Sequence, residues 1–321
     1  GYKKRYKYSG SFDASYLVTK TGDKDLPDYS LSKDFQLRWS HTQDPKANPY
    51  LSFSASVNFS TSSYDRNNQN SYYAQSGSYA AVNQNTKSSS INITKRFPNN
   101  PFTISANMSI NQITRDSSIA VTLPNMTITM SRIFPFKRKH AVGKERWYEK
   151  IAMSYSGTLS NSITTKENKL FKSNLVKDWR NAMQHSIPVS ATFQLFKYIN
   201  ISPSFNYKER WYTNKVEQAY DPQRQAVVAR DTTYGFYRVY DYSGSISAST
   251  TLYGFFKPLP FLGKKVEMIR HRMEPSVSLS AAPDFASNHF GFYQTFVYQD
   301  AIGEDHEYTY SPFAQNMSGV P

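Results

Sequence analysis

The sequence predicts an all-β protein: an antiparallel up-and-down transmembrane β-barrel, of which about eleven or twelve strands are visible and which forms part of a larger barrel. Three observations predict it: side-chain alternation of period two, strands too long for a soluble sandwich, and aromatic rings gathered at strand ends. The alternation is plainest at 51–60, LSFSASVNFS. Leu51, Phe53, Ala55, Val57 and Phe59 share one parity; Ser52, Ser54, Ser56, Asn58 and Ser60 share the other. Successive residues of a strand point to opposite faces, so one face is apolar and the other hydroxylic. The stretches FTISANMSIN (102–111), IAMSYSGTLS (151–160), YSGSISASTT (242–251) and PSVSLSA (275–281) repeat the pattern. Only 167–184 has room for a turn or two of helix.

In chain order the strands read 2–19, 30–41, 49–62, 87–97, 101–114, 119–132, 147–165, 182–196, 199–213, 234–253 and 268–283, with a frayed one after 307. Tyr8, Phe12 and Tyr16 mark the outward face of the first; Phe35, Leu37 and Trp39 mark that of the second. Many exceed ten residues. Soluble strands average about 5–6, whereas a tilted crossing of a bilayer takes about 9–11. Connections at one end are short or proline-marked: TQDPKANP (42–49), FPNNP (97–101), IFPFKRKHAVGKE (133–145), a reversal at Lys197–Tyr198, and FFKPLPFLGKK (255–265). At the other end 64–86, 166–181, 214–233 and 284–306 are long and polar, and only those near 21–28 and 115–118 are short. Outer-membrane barrels place short turns on the periplasmic side and long loops outside. Rings cluster where strands end, as at Tyr2, Tyr6 and Tyr8, Trp39, Phe97 and Phe102, Trp147 and Tyr148, Trp211 and Tyr212, and Phe255 and Phe256. Such rings suit the headgroup level of a membrane.

Composition agrees. Of 321 residues only 19% are charged and 39% hydrophobic, below the roughly 25% and 45–50% of soluble domains; Ser, Thr, Asn and Gln fill the difference, and 25 Tyr and 21 Phe are prominent in the hydrophobic part. No apolar run approaches the roughly 20 residues of a membrane helix, and a mean hydropathy of −0.63 fits strands that alternate. The absence of cysteine excludes disulfides, thiolate catalysis and Cys-ligated zinc within this chain. One domain, 1–321, is expected, with no separate soluble unit. The opening GYKKRYKYSGSF reads as a strand in progress, so an internal stretch of a longer protein is expected. A soluble β-sandwich is the competing fold, but its wet face would carry Lys and Glu rather than Ser, Thr and Asn.

No catalytic constellation is visible. His41, His140, His185, His271, His289 and His306 stand apart, with no HxH or HxxxH spacing, and there is no GxSxG or phosphate-binding glycine loop. No enzyme, cofactor or metal is expected. Sequons at Asn58, Asn92, Asn107 and Asn200 fall inside strands and follow from composition. The charge is more informative: 38 bases face 24 acids, a net +14. The bases are scattered and sit at strand ends, so no nucleic-acid partner is expected. Parity places Lys3, Arg5, Lys7, Arg38, Lys208, Arg210 and Arg272 on the polar, lumenal face. They are either paired with lumenal acids or form a cationic path for a phosphorylated amphiphile. Further bases gather at the short turns, at Lys137, Arg138, Lys139, Lys144 and Arg146, and at Lys257, Lys264, Lys265, Arg270 and Arg272. Pro124, Pro188, Pro203 and Pro275 lie inside strands; lacking an N–H, each weakens a ladder, and the parity change across Pro124 marks a bulge.

The segment Arg270-His271-Arg272-Met273-Glu274-Pro275-Ser276-Val277-Ser278-Leu279-Ser280, followed by Ala281-Ala282-Pro283-Asp284-Phe285, resembles the LptD family of lipopolysaccharide-assembly barrels in its Bacteroidetes form. Tyr240-Asp241-Tyr242-Ser243-Gly244 and Tyr310-Ser311-Pro312-Phe313-Ala314-Gln315-Asn316-Met317 are similar to it as well. The resemblance is strongest over the last third of the chain. It implies a Gram-negative outer-membrane location and a large barrel that opens laterally. It implies as partners lipopolysaccharide, outer-membrane lipids, a plug lipoprotein and periplasmic transport-bridge proteins. The function expected is lipopolysaccharide transport and insertion into the outer leaflet. The alternative is a diffusion porin or nutrient transporter, which needs an inward constricting loop, placed at 64–86; a surface adhesin is a third reading.

Overall fold

A computed structural model describes residues 1–64, 86–113, 116–140, 142–257 and 268–321. The strands are β1 (Tyr2–Lys4), β2 (Tyr8–Thr21), β3 (Ser30–Gln43), β4 (Leu51–Ser60), β5 (Thr86–Arg96), β6 (Phe102–Ile113), β7 (Ser118–Ile133), β8 (Ala152–Lys166), β9 (Arg180–Ser190), β10 (Phe193–Leu195), β11 (Ile199–Asp221), β12 (Ala226–Thr250), β13 (Leu252–Phe256), β14 (Ile269–Met273), β15 (Ser276–Ala281), β16 (Gln294–Gln299) and β17 (Asp305–Tyr310). They build a 13-stranded antiparallel sheet in chain order from β1 to β12, then β15, with β10 also on β11. The outermost strands, β1 and β15, do not pair with each other among the described residues, so these residues form an open wall.

Register turns the alternation into rows. Directly paired residues share a face, so one row can be followed across the wall: Ser11, Ser40, Ser56, Ser90, Ser109, Thr122 and Ser162. A second row runs Ser9, Thr42, Ser54, Asn92, Asn107, Asn125 and Ser160. A third runs Ser52, Thr94, Ser105, Thr127, Thr158, Gln184 and Arg210. The opposite face carries Phe53, Ile93, Ala106, Met126, Leu159, Met183 and Trp211 in the same manner. Hydroxyls join across strands on the polar face, as in Ser11–Ser40 at 2.8 Å and Ser204–Ser245 at 2.7 Å. Large side chains on the other face stay open, with Phe12 61% and Tyr16 66% exposed. The same strands thus present two different surfaces to two different media.

The structure departs from the expected elements where charge or geometry overrides alternation. The strand expected at 2–19 is two strands, because the chain reverses at 5–7 with Tyr6 at φ 59°. In one straight strand Lys3, Arg5 and Lys7 would stack like charges along one face. The turn separates them, and Arg5 lies over the Tyr6 ring at 4.7 Å. The expected loop 214–233 is instead the upper part of a hairpin of 23- and 25-residue strands. It closes at Pro222, with Gln225 at φ 49°. Alternation is lost there because a ladder beyond the bilayer needs no apolar face. The expected loop 284–306 contains β16, which pairs with β17. The strand expected from 147 begins at Ala152, after a 3-10 turn at Trp147–Lys150. The expected strands 182–196 and 268–283 are each broken, the second at Pro275.

Reversing the polarity of one row tests this assignment of faces. Val57→Arg is expected to lower stability in phospholipid vesicles by about 2–4 kcal/mol, and Ser56→Arg by less than about 1 kcal/mol. The check is the midpoint of denaturant unfolding for each variant; equal losses would refute the two faces.

Candidate functional site

The polar face is the candidate site, and the expected bases are distributed unevenly over it. Lys3 shares the face of its partner Ser9. Arg38 stands between Asp13 and Asn58 on the neighbouring strands. Lys208 stands between Ser186 and Asp241. All three are exposed. Among the described residues none of the three forms an ion pair. Arg210 is buried and paired: its guanidinium reaches the Asp241 carboxylate at 2.5 Å and donates from Nε to the Ser318 carbonyl at 3.2 Å. Arg272 lies on β14, which pairs with β13 apart from the 13-stranded sheet, and it pairs with Glu274 beside it. Arg5 and Lys7 are corrections to the lumenal set: both lie in the reversal at 5–7, at the short-turn end, and not on a strand face.

The carboxyl-terminal stretch lies over this face. Tyr212, on the same face as Arg210, donates its hydroxyl to the Gly319 carbonyl and stacks on Phe313 at 5.3 Å. Arg180 donates to the Gln315 carbonyl at 3.2 Å, and the Val216 N–H to the Pro312 carbonyl at 2.8 Å. Tyr212 and Val239 are thereby fully buried with Phe285, Phe292 and Phe313. Above Gly244 no strand pairs with the outer edge of β12 among the described residues. Residues 285–293 pack there instead: Phe285 meets Tyr242 at 5.5 Å and Phe292 meets Tyr240 at 5.4 Å.

The four prolines sit at irregularities of the ladder. The β6–β7 register shifts across Pro124, where two residues of β7 oppose one of β6. Pro188 lies in the stretch of β9 that pairs with Asn206 of β11 but has no partner on β8. Pro203 pairs with Ile246, while on its other side the neighbouring strand is interrupted between β9 and β10. Pro275 separates β14 from β15 at the open margin of the sheet, and its carbonyl accepts the Thr250 N–H at 3.2 Å.

Some polar groups escaped the sequence reading. Glu209 shares its face with Tyr207 and Trp211, the apolar face. There it accepts from the Tyr207 hydroxyl at 2.5 Å, Trp211 Nε1 at 2.6 Å and Arg238 at 2.7 Å. A charge on a lipid-facing wall is tolerated only when so fully bonded. The parity Phe205-Tyr207-Glu209-Trp211 was the available signal. His41 and His185, expected to stand apart, each meet a tyrosine hydroxyl through Nδ1: Tyr2 at 2.8 Å and Tyr155 at 2.7 Å. His306 lies with Asp300 and Glu304, their ligand atoms within 4.8 Å of one another. Asp300 already accepts the backbone N–H groups of Ile302 and Glu304 and bonds His306. These bonds hold its carboxyl below the usual range and close the β16–β17 hairpin. The cluster therefore reads as a turn. The inward loop required of a porin, 64–86, falls almost wholly outside the described residues, as do Lys264 and Lys265.

Asp241→Asn removes the partner of a nearly buried guanidinium. It is expected to cost about 1–3 kcal/mol and to raise hydrogen exchange at 312–319, while β2–β6 stay protected. Exchange mapped by mass spectrometry checks this.

The wall has one lipid-facing and one polar side, and its strands have bilayer-crossing length. No curated protein matches the chain. The family described as LptD protein matches residues 1–321, the entire sequence. The chain therefore belongs to the LptD protein family, outer-membrane β-barrel proteins of lipopolysaccharide transport.

Proposed function

We propose that residues 1–321 form a single portion of barrel wall, with no separate soluble domain, along which lipopolysaccharide passes to the outer leaflet. The observation that carries this reading is the set of uninterrupted hydroxyl and amide rows across the polar face. A sugar headgroup exchanges hydrogen bonds with such rows at little cost, because each contact replaces one to water. Lys3, Arg38 and Lys208 add positive charge for its phosphates. Acyl chains find no place on this face and leave through the wall. The proline-marked irregularities at Pro124, Pro188 and Pro203, with the break at Pro275, support a wall that can part sideways, since proline brings no N–H to a ladder. Release is then a matter of positioning and exclusion, with no covalent chemistry. The family resemblance supports a plug lipoprotein and a periplasmic protein bridge as partners.

The test is charge reversal at the unpaired bases. Arg38→Glu with Lys208→Glu is expected to lower surface lipopolysaccharide severalfold, with barrel abundance and heat-modifiable migration unchanged. Normal surface lipopolysaccharide in that strain would overturn the reading.

A further inference from the structure

The connection between β7 and β8 is a folded platform. Its nucleus is Glu149, whose side chain is 1% exposed. That carboxylate accepts Arg138 Nε at 2.6 Å, Arg138 Nη2 at 3.0 Å, and the backbone N–H groups of Arg146 at 2.6 Å and Arg138 at 3.2 Å. Four donors on one carboxylate hold it strongly in its charged form, its pKa lowered to about 2. Glu149 is thereby fully engaged.

Beside the platform lies a cleft of about 340 Å³, lined by Arg132, Lys137 and Lys150, by the carboxylates of Glu145 and Glu149, and by Thr192, Gln194 and Asn200 at the β10–β11 hairpin. Lys137 shares its charge with Glu145 at 3.4 Å. Arg132 and Lys150 form no ion pair among the described residues, and Arg132 lies over the Phe134 ring at 5.4 Å. Both carboxylates of the lining are engaged, Glu145 by Lys137 and Glu149 by Arg138, which leaves Arg132 and Lys150 as its cations without an ion-pair partner among the described residues. Phe134, also in its lining, is 42% exposed, and in the same connection Phe136 is 57% and Trp147 68% exposed. Cations beside open rings at the end of a membrane wall match an amphiphile whose polar end is anionic. The volume suits a headgroup and is too small for a protein face.

We propose that this cleft binds a lipid-borne phosphate group. Two sources carry that chemistry: the headgroup of a membrane phospholipid, and the phosphorylated sugar of the transported glycolipid. Only the second rests on the transport reading. Arg132 and Lys150 hold the phosphate oxygens by charge-assisted hydrogen bonds. Thr192, Gln194 and Asn200 supply neutral partners.

The experiment uses the full chain in phosphate-free detergent, with bound lipid quantified by native mass spectrometry. The probes are phosphatidylglycerol against diacylglycerol, and bis-phosphorylated lipid A against its dephosphorylated form. Arg132→Gln with Lys150→Gln is expected to weaken binding of the phosphorylated probes roughly tenfold or more, leaving the phosphate-free probes unaffected. Arg132→Lys with Lys150→Arg is expected to retain binding. Inorganic phosphate is expected to compete on the unsubstituted protein, which keeps the test valid even where a variant misfolds. A loss confined to phosphatidylglycerol assigns the site to membrane phospholipid; a loss confined to lipid A assigns it to cargo. Both support a phosphate site, and the first leaves the transport reading untouched. Equal binding by the folded double variant and the unsubstituted protein, or binding of both phosphorylated probes no tighter than that of their phosphate-free counterparts, overturns the proposal.

Discussion

A wall in contact with hydrocarbon must satisfy every backbone N–H and C=O within itself, because nothing on its outer side can bond them. The rest of this structure follows from that constraint. It forces the chain into long paired strands, and pairing fixes the register. Register then sorts the alternating sequence into continuous rows, so that Ser11 and Ser162, on opposite sides of a seven-strand span, belong to one hydroxyl row. A slip of one residue anywhere would carry serine to lipid and leucine to water. The bulge at Pro124 shows how this is managed: the parity of the apolar residues changes in the sequence at the point where the ladder gains a residue, so the faces persist across it.

Charge on the polar face is arranged in two ways. Arg210 and Arg272 are spent on structure, one holding the carboxyl-terminal stretch against the wall and the other pairing with Glu274 just past the end of its strand. Lys3, Arg38 and Lys208 remain open to water. A long neutral surface with a few free cations is suited to moving a bulky anionic glycolipid, since a densely charged wall would hold it. On the outer face the opposite rule applies, and Glu209 is present only because three donors enclose it.

Most of the wall was legible because membrane strands must alternate. LSFSASVNFS and FTISANMSIN declare their faces without help from any partner. Legibility failed where that requirement lapses. The polar upper hairpin from Lys215 to Thr233 carries no lipid face, so its pairing leaves no periodic trace. The reversal at Tyr6 depends on a backbone conformation that tyrosine rarely adopts. The distinction between paired and free bases depends on cross-strand neighbours, which only register reveals: Asp241 is adjacent to Arg210 because of a hairpin that closes many residues away. The platform around Glu149 was hidden for the same reason, since its partners come from both ends of a connection.

The account stands on two faces exposed to two media, and the absence of cysteine makes it directly measurable. Single cysteines placed in turn from Asn200 to Tyr207, in the protein embedded in native outer membrane, can be labelled with a charged, membrane-impermeant maleimide. The account predicts strict alternation, with rapid labelling at 200, 202, 204 and 206 and protection at 201, 203, 205 and 207. Uniform labelling along the strand, or the reverse alternation, would contradict it.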